Sequence, residues 1–317
     1  MTVLASPFNL QIITRKDGDD MQTARVRVAV ATVWRQPKLR SIDQHALDSQ
    51  GLSAWVGQMT DADSMGLEQE NLCVTQALFN DPILIERQVG GWVYGYVVSQ
   101  KDAQHPQGYP GWLWAAQLSL APLPVQTGAT VVIRRPFTPL LRPDGSTIFQ
   151  LSLGTELAVI SSKAPLYDLV QTPLGPAKVA KRATQFDFPT ADLTAGETMV
   201  KLGAEFLDLR YLWGGLSAYG FDCSGFVCAL HRCIGVELAR DVSEQVLNGR
   251  PVEVAAVQPG DLCFFAHEQG KGGLHHVALY AGDGWLLHSP TPGKHVTYLQ
   301  LSATYLKDEL VKIRRNW

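Results

Sequence analysis

Between residues 24 and 185 the chain consists of short apolar runs, rich in β-branched and aromatic residues and separated by Gly, Pro and Asp. This pattern is typical of small antiparallel β domains rather than of alternating strands and helices. Apolar residues alternate with polar ones on either side of Gly90-Gly91, which predicts a hairpin with one buried face. The region is long enough for two small barrels, and the proline-containing stretch at 120–129 predicts the boundary between them.

The pattern takes on a helical period after residue 190. Thr194 and Glu197 have the spacing of a capping box, which predicts a helix that begins there and ends before Tyr211. The apolar side of that helix is predicted to consist of Met199, Leu202, Phe206 and Leu209. A second helix is predicted from Asp222 to about Ile234. The strand-like runs that follow it are DLCFFAH, HHVALYAG, WLLHSP and HVTYLQL.

A helix followed by an antiparallel sheet indicates an α+β domain, different in kind from the β-rich region before it. The sequence therefore predicts three domains, at residues 1–125, 126–190 and 191–317. The length of 317 residues is sufficient for that number.

The formal net charge of −3 and a pI near 6.2 give no general attraction to nucleic acid or to an anionic membrane. We therefore expect neither as a partner. The first 20 residues have no basic residue ahead of their short apolar stretch, and no run is long enough for a spanning helix. These features predict a cytoplasmic protein. The oligomeric state stays open.

Five cysteines form an odd set without the spacing of a disulfide framework, so reduced thiols are expected. Cys228, His231 and Cys233 follow Cys223 closely, but the paired C-x-x-C loops of a structural zinc site are missing. We expect core thiols there, and no metal or other cofactor. Cys73 and Cys263 are interpreted in the same way.

Cys223 differs from the other cysteines because of its position. Asp222 is suited to cap the second helix, which leaves Cys223 in the first turn, where free N–H groups and the helix dipole favour a thiolate. A cysteine nucleophile needs a base, and His276 is predicted to face a cleft from a strand. His288 is predicted on the adjacent antiparallel strand, close enough to hold the His276 imidazole. His275 is the rival base, but strand parity predicts that it points with Val277 to the packed side or to a strand edge.

Four ordered motifs carry a family resemblance: Y-x-W-G-G at 211–215, D-C-S-G-F at 222–226, H-V-x-x-Y at 276–280 and the later strand histidine. Residues 193–317 resemble the NlpC-type cell-wall cysteine peptidases. The upstream region resembles the bacterial SH3-like modules of γ-D-glutamyl-L-diamino acid endopeptidases. The resemblance implies a multidomain chain in which two small all-β SH3-like barrels precede a papain-like α+β catalytic domain.

The resemblance also implies residue roles in catalysis. It makes Cys223 the nucleophile, His276 the base and His288 the third polar residue. It places Tyr211, with the backbone amide of Cys223, where the two can stabilise an oxyanion. Asp222 and Ser224 flank the nucleophile in the same motif and are counted with the oxyanion and substrate residues.

Three further residues are implied on the substrate side. Asp241 matches a motif that contacts the amine or backbone of the peptide. Tyr109 and Asp81 are the candidates for a tyrosine and an acidic residue that bind the ammonium group of the substrate. At position 80 an asparagine stands where the family pattern has glycine.

The implied reaction is hydrolysis of the amide between γ-D-glutamate and L-lysine or meso-diaminopimelate, in murein peptides with a free N-terminal L-Ala. The expected setting is recycling of cell-wall peptides. Two alternatives stay open: a related cysteine amidase or acyltransferase, and a non-catalytic wall-binding protein. The preference between the two diamino acids is open as well.

Overall fold

The computed structural model describes residues 21–48, 51–121 and 129–317. The amino-terminal segment 1–20, from which location was predicted, lies outside these ranges, and so do the predicted domain boundary at residue 125 and most of the proline-containing stretch. Among the residues that the structure describes, no helix is both long and apolar enough to cross a bilayer.

The first sheet is built from seven strands, which pair in the order β3-β2-β6-β5-β4-β1-β7. They are β1 (Gln22–Val26), β2 (Val30–Trp34), β3 (Cys73–Leu78), β4 (Pro82–Val89), β5 (Trp92–Val97), β6 (Tyr109–Trp114) and β7 (Leu118–Ser119). The predicted hairpin is confirmed as β4–β5, with Val89 opposite Trp92. Gly90 makes the turn with a φ of 57°, a conformation that glycine adopts without a steric penalty.

Two helices that the sequence analysis did not predict lie between β2 and β3: α1 (Leu52–Gln58) and α2 (Asp61–Gln69). A 3-10 helix, Ile42–Leu47, precedes them. Trp55 of α1 and Trp34 of β2 are fully buried, and their ring centroids are 5.7 Å apart. This helical insertion packs against one side of the first sheet, and its buried cluster extends to Leu212 and Leu216.

The second sheet has six strands in the order β10-β9-β13-β12-β11-β8. They are β8 (Thr130–Val132), β9 (Phe137–Leu141), β10 (Thr147–Ser152), β11 (Glu156–Ser161), β12 (Tyr167–Gln171) and β13 (Ala177–Ala180). Both regions contain antiparallel sheets as predicted, but the first is not all-β, because α1 and α2 lie between its strands. In the ranges that the structure describes, the strand pairings close neither sheet into a barrel, so their SH3-like character stays a prediction.

The remaining elements form the α+β part of the chain. The helices are α3 (Ala195–Ala204), α4 (Cys223–Cys233), α5 (Val242–Gln245), α6 (His267–Gly270) and α7 (Leu306–Glu309). The strands are β14 (Leu216–Ser217), β15 (Gly220–Phe221), β16 (Arg250–Pro251), β17 (Leu262–Ala266), β18 (Leu274–Gly282), β19 (Trp285–His288), β20 (Thr297–Gln300) and β21 (Leu310–Arg315).

Strands β16 to β21 make one six-stranded sheet in the order β16-β21-β17-β18-β19-β20, and β14 pairs with β15 in a separate sheet. Helix α4 packs against it through a buried apolar cluster that includes Phe226, Leu230, Val277 and Leu287. The predicted order, a cysteine-bearing helix followed by an antiparallel sheet, is confirmed. The sheet holds β18 in register beside β19, with Leu279 opposite Leu287.

One prediction about this region is wrong. Helix α3 begins at the predicted capping box but ends at Ala204, so Phe206 and Leu209 lie beyond it. Asp208 has a φ of 65°, which reverses the chain, and its N–H donates to the carbonyl of Val296. Because backbone groups of residues 208–211 pair with residues 294–296, they are not available to continue the helix.

Candidate active site

A cleft of about 670 Å³ contains most of the candidate residues. Its wall includes Tyr109 from β6 of the first domain and Cys223, Asp241 and His276 from the carboxyl-terminal one. The side chains that the resemblance brought together from distant parts of the chain therefore share one solvent-accessible space.

Cys223 is the first residue of α4. The Asp222 carboxylate caps this helix by accepting the N–H of Gly225 at 2.6 Å. Burial, the largest cause, and the nearby Asp222 charge raise the pKa of the Cys223 thiol to about 12, although backbone N–H groups of Val277 and Ser224 oppose the shift. The resting form is therefore the neutral thiol, and a base must take its proton when it attacks.

His276 on β18 and His288 on β19 are joined by a hydrogen bond of 2.8 Å between Nε2 and Nδ1. Each is only 4% exposed. Burial lowers the pKa of His288 to about 4 and, together with His288 and His275, lowers the pKa of His276 well below its usual value. Both rings are thus neutral near pH 7. When His276 donates from Nε2 to His288, its Nδ1 is left as a free acceptor.

Strand parity predicted His275 on the packed side or at a strand edge, and the structure does not place it on the packed side. A bulge opposite Phe265 and Ala266 breaks the alternation at the start of β18. His275 is half-buried, lines the cleft and contacts Glu309 at 3.0 Å. In the described part of the chain, His267, His275 and Glu309 are the group whose donor atoms are close enough to hold a metal ion.

Tyr211 lies beside β15, held by a bridge to Phe221. It is 3% exposed and lines the cleft. Burial raises its pKa well above the usual value, and the adjacent Cys223 acts in the same direction. The phenol therefore keeps its proton and can only donate to a developing negative charge.

Tyr109 and Asp241 meet across the domains. The Tyr109 hydroxyl lies 3.1 and 3.0 Å from the two carboxylate oxygens of Asp241 and donates to them. Burial raises the pKa of Asp241, although Arg240 and the hydrogen bond from Tyr109 oppose the shift. The cleft thus contains a partly buried carboxylate whose tyrosine partner comes from the other domain.

Arg240 is a residue that the sequence analysis missed. It is 2% exposed, and its guanidinium binds Asp222 Oδ2 at 2.6 Å, Ser224 Oγ at 2.9 Å and Thr75 Oγ1 at 2.7 Å. The hydrogen bonds of Asp222 and Ser224 are therefore used within the protein, to hold the first turn of α4. One feature of the sequence could have identified Arg240 as a site residue, namely that it directly precedes Asp241.

Asp81 does not line the cleft, contrary to the role suggested for it. It is 3% exposed, and its carboxylate accepts from the backbone N–H of Leu78 and from Arg232 Nη2, both at 2.8 Å. Arg232 also binds Glu156 at 2.9 Å. Asp81 joins the first sheet to α4 and has no free oxygen aimed at a substrate.

The sequence was compared with those of known proteins. The NlpC/P60 family model matches residues 208–315. The chain is 38% identical to a γ-D-glutamyl-L-lysine dipeptidyl-peptidase of Bacillus subtilis over 289 residues, which are 90% of this chain and 96% of that protein. It is 33% identical over 303 residues to a Bacillus cereus protein of the same name, with 92% and 90% covered.

The fold was compared with solved structures. The crystal structure of an NlpC/P60 family protein from Bacillus cereus superposes with a TM-score of 0.84 at 31% sequence identity. The match covers 93% of this chain and 99% of that one. The similarity therefore extends over the two β-rich regions as well as the α+β domain.

Proposed function

The chain belongs to the NlpC/P60 family of cysteine peptidases, and on this premise we propose that it cleaves murein peptides with a free N-terminal L-Ala. The bond cut is the amide between γ-D-glutamate and the following L-lysine or meso-diaminopimelate. The observation that carries this proposal is the cleft itself, in which the Tyr109–Asp241 pair and Cys223 face the same space.

Cys223 attacks the γ-carbonyl carbon while His276 Nδ1 accepts the thiol proton. The thiol is held next to the N–H of Val277, the residue after His276, which supports this pairing. The carbonyl oxygen becomes an oxyanion, for which the Tyr211 hydroxyl and the Cys223 backbone N–H are the proposed donors. One such donor contributes about 3 kcal/mol to the transition state.

His276 next gives its proton to the nitrogen of the diamino acid, which leaves, and a thioester between Cys223 and the γ-carboxyl group remains. Water then attacks the thioester with His276 as base, which regenerates the thiol and releases L-Ala-γ-D-Glu. His288 acts through His276: it accepts from Nε2 and fixes the orientation of the imidazole.

Recognition of the free amine is assigned to Asp241 and Tyr109. An ammonium group that binds the Asp241 carboxylate forms a charge-assisted hydrogen bond in a partly buried place, where it is stronger than at the surface. An N-acylated peptide has no charge to offer and would leave the carboxylate unpaired. The pair therefore selects for the amino terminus of the peptide.

The test is mass-spectrometric detection of cleavage of L-Ala-γ-D-Glu-L-Lys and its diaminopimelate counterpart, each with a free and with an acetylated amine. We expect the wild type to cut the free-amine peptides and Cys223→Ala to cut none. Cys263→Ala, a change of a buried cysteine outside the cleft, is the matched control and retains cleavage. No cleavage of any peptide by the wild type would favour an amidase or acyltransferase of the same family.

A further inference from the structure

Three side chains that the proposed peptidase reaction does not use meet at one edge of the cleft. His267 follows β17 directly, His275 belongs to β18, and Glu309 ends α7. They are separated by up to 42 residues of sequence, from position 267 to position 309, so their meeting is a product of the fold. His267 and His275 line the same cleft as Cys223.

The donor atoms of the three side chains all lie within 4.8 Å of one another. His275 Nε2 is 3.0 Å from Glu309 Oε2. The rings of His267 and His275 are stacked, with centroids 4.0 Å apart and planes inclined by 13°. Two positively charged rings would repel at this distance, so the stack is stable when at least one of them is neutral.

Two imidazoles and one carboxylate are the ligand set that borderline divalent ions of the first transition row bind well. Imidazole binds a metal only in its neutral form, so binding of an ion competes with protons for the two rings. Glu309 adds the negative charge that compensates part of the charge of the ion.

The distances are close to what an ion requires. Ligand atoms about 2.1 Å from a tetrahedral zinc ion are roughly 3.4 Å apart, so a closing movement of roughly 1.4 Å at most is needed from a spread of 4.8 Å. His267 is exposed and can make this movement by rotating its side chain. A rotation is needed as well, because two rings inclined by only 13° do not direct their lone pairs toward one point.

We propose that His267, His275 and Glu309 form a binding site for a divalent first-row transition metal ion such as zinc. Because the site lies on the cleft wall, beside Tyr305 and Leu306, an ion there with its water ligands takes space that substrate would otherwise use. Zinc therefore inhibits the enzyme by raising KM, whereas the proposed peptidase reaction itself needs no ion at this position.

Zinc binding is measured by isothermal titration calorimetry on the full chain carrying Cys223→Ala, which removes the reactive thiol as a competing ligand. We expect one zinc ion per chain. Adding His267→Ala or Glu309→Gln to this background weakens binding at least tenfold. Adding His295→Ala, a change of an exposed histidine away from the cluster, leaves the affinity unchanged.

An affinity for zinc in the His267→Ala and Glu309→Gln backgrounds equal to that of Cys223→Ala alone would overturn the proposal, as would the lack of saturable zinc binding to Cys223→Ala itself. His267 is exposed, whereas the Glu309 side chain is only 14% exposed, so thermal unfolding of each variant is measured to verify the fold. Because binding is measured without the catalytic thiol, the result is independent of whether the proposed peptidase activity is found.

Discussion

At the scale of single residues, the Cys223 thiol is a weak nucleophile and the His276 imidazole a weak base when each is considered alone. Burial keeps the thiol protonated and the imidazole unprotonated at neutral pH. Direct transfer of the proton from the thiol to the imidazole, as the thiol attacks, avoids forming a free thiolate in a buried place before the attack. In the proposed mechanism the orientation of the His276 ring decides the rate, because Nδ1 must face Cys223 while Nε2 is held by His288.

Replacing His288 tests this orientation. We expect His288→Ala to lower kcat about 100-fold with little change in KM, since the lost partner orients the base but does not touch the substrate. His288→Asn can still accept a hydrogen bond and retains more activity than His288→Ala. Steady-state kinetics on a free-amine peptide checks both, and equal activity of the two variants would contradict a hydrogen-bonding role.

Asp241 and Tyr109 make a second prediction at this scale. Asp241→Asn removes the charge that binds the ammonium group, which costs about 2 kcal/mol and raises KM for free-amine peptides roughly 30-fold. Tyr109→Phe removes one neutral donor and has a smaller effect. Neither change slows the residual cleavage of acetylated peptides. A proportional loss for free and acetylated peptides would show that the pair has a structural role only.

The raised pKa of Asp241 predicts a pH dependence. Because burial raises this pKa, the carboxyl group becomes protonated at a higher pH than an ordinary aspartate, and the ammonium site loses its charge as pH falls. The charged or titratable groups that face it are Arg240, Tyr109, Asp222 and Asp102. We expect KM for free-amine peptides to rise toward acid pH in the wild type. In Asp241→Asn the same profile should be flat.

At the scale of elements, the first turn of α4 is the part that the rest of the site depends on. It positions Cys223, and it is held by Asp222 as cap and by Arg240 as the partner of Asp222. Arg240 is 2% exposed, so its charge has little contact with water and depends on Asp222 for compensation. Breaking this ion pair should therefore lower the free energy of unfolding as well as the activity.

Asp222→Ala is expected to lower the free energy of unfolding by about 4 kcal/mol, since it removes a helix cap and leaves a buried cation unpaired. Thr194→Ala is the matched control. It removes the cap of α3 at an exposed position and should cost only about 1 kcal/mol. Urea-induced unfolding measures both, and similar losses in the two variants would contradict a dominant role for the Arg240 pair.

The elements were predictable where the pattern was local. The capping boxes and periodicities located the start of α3, the whole of α4 and the strands β17 to β20. The end of α3 was not predictable, because it is set by pairing with residues 294–296, far away in sequence. Likewise the bulge that turns His275 toward the cleft depends on β17 and cannot be read from the alternation within β18.

At the scale of the whole molecule, Arg232 joins all three regions. It belongs to α4, and it binds Asp81 beside the first sheet and Glu156 in the second. The Asp81 side chain is 2% exposed, whereas the Glu156 side chain is 45% exposed. Most of the interaction energy therefore lies in the buried pair with Asp81.

Arg232→Met is expected to destabilise the chain by about 3 kcal/mol, because Asp81 loses its counter-charge in a buried place. The β regions should then unfold at a lower temperature than the α+β domain, which calorimetry would detect as a split transition. Lys101→Met removes an exposed ion pair with Glu237 and is the control, with a loss of at most about 0.5 kcal/mol. A single unshifted transition in Arg232→Met would refute this role.

The candidate site was predictable in part. Cys223, His276 and His288 stand in short ordered motifs, and the structure brings all three to one cleft, with His288 hydrogen-bonded to His276. Asp81 was misplaced because its sequence context could not show that Arg232, 151 positions later, takes its carboxylate. Arg240 was missed for the same reason: its partners Thr75 and Asp222 come from two different domains.

The hydrogen bond from Arg240 to Thr75 limits how this chain can evolve by recombination. A catalytic segment such as 191–317, transplanted onto a different amino-terminal partner, would lose an acceptor for a cation at the base of its nucleophilic turn, and Tyr109 with it. Such a chimera would have a less well held nucleophilic turn as well as an altered specificity. We expect the segments to be inherited together, as one unit of selection rather than as interchangeable modules.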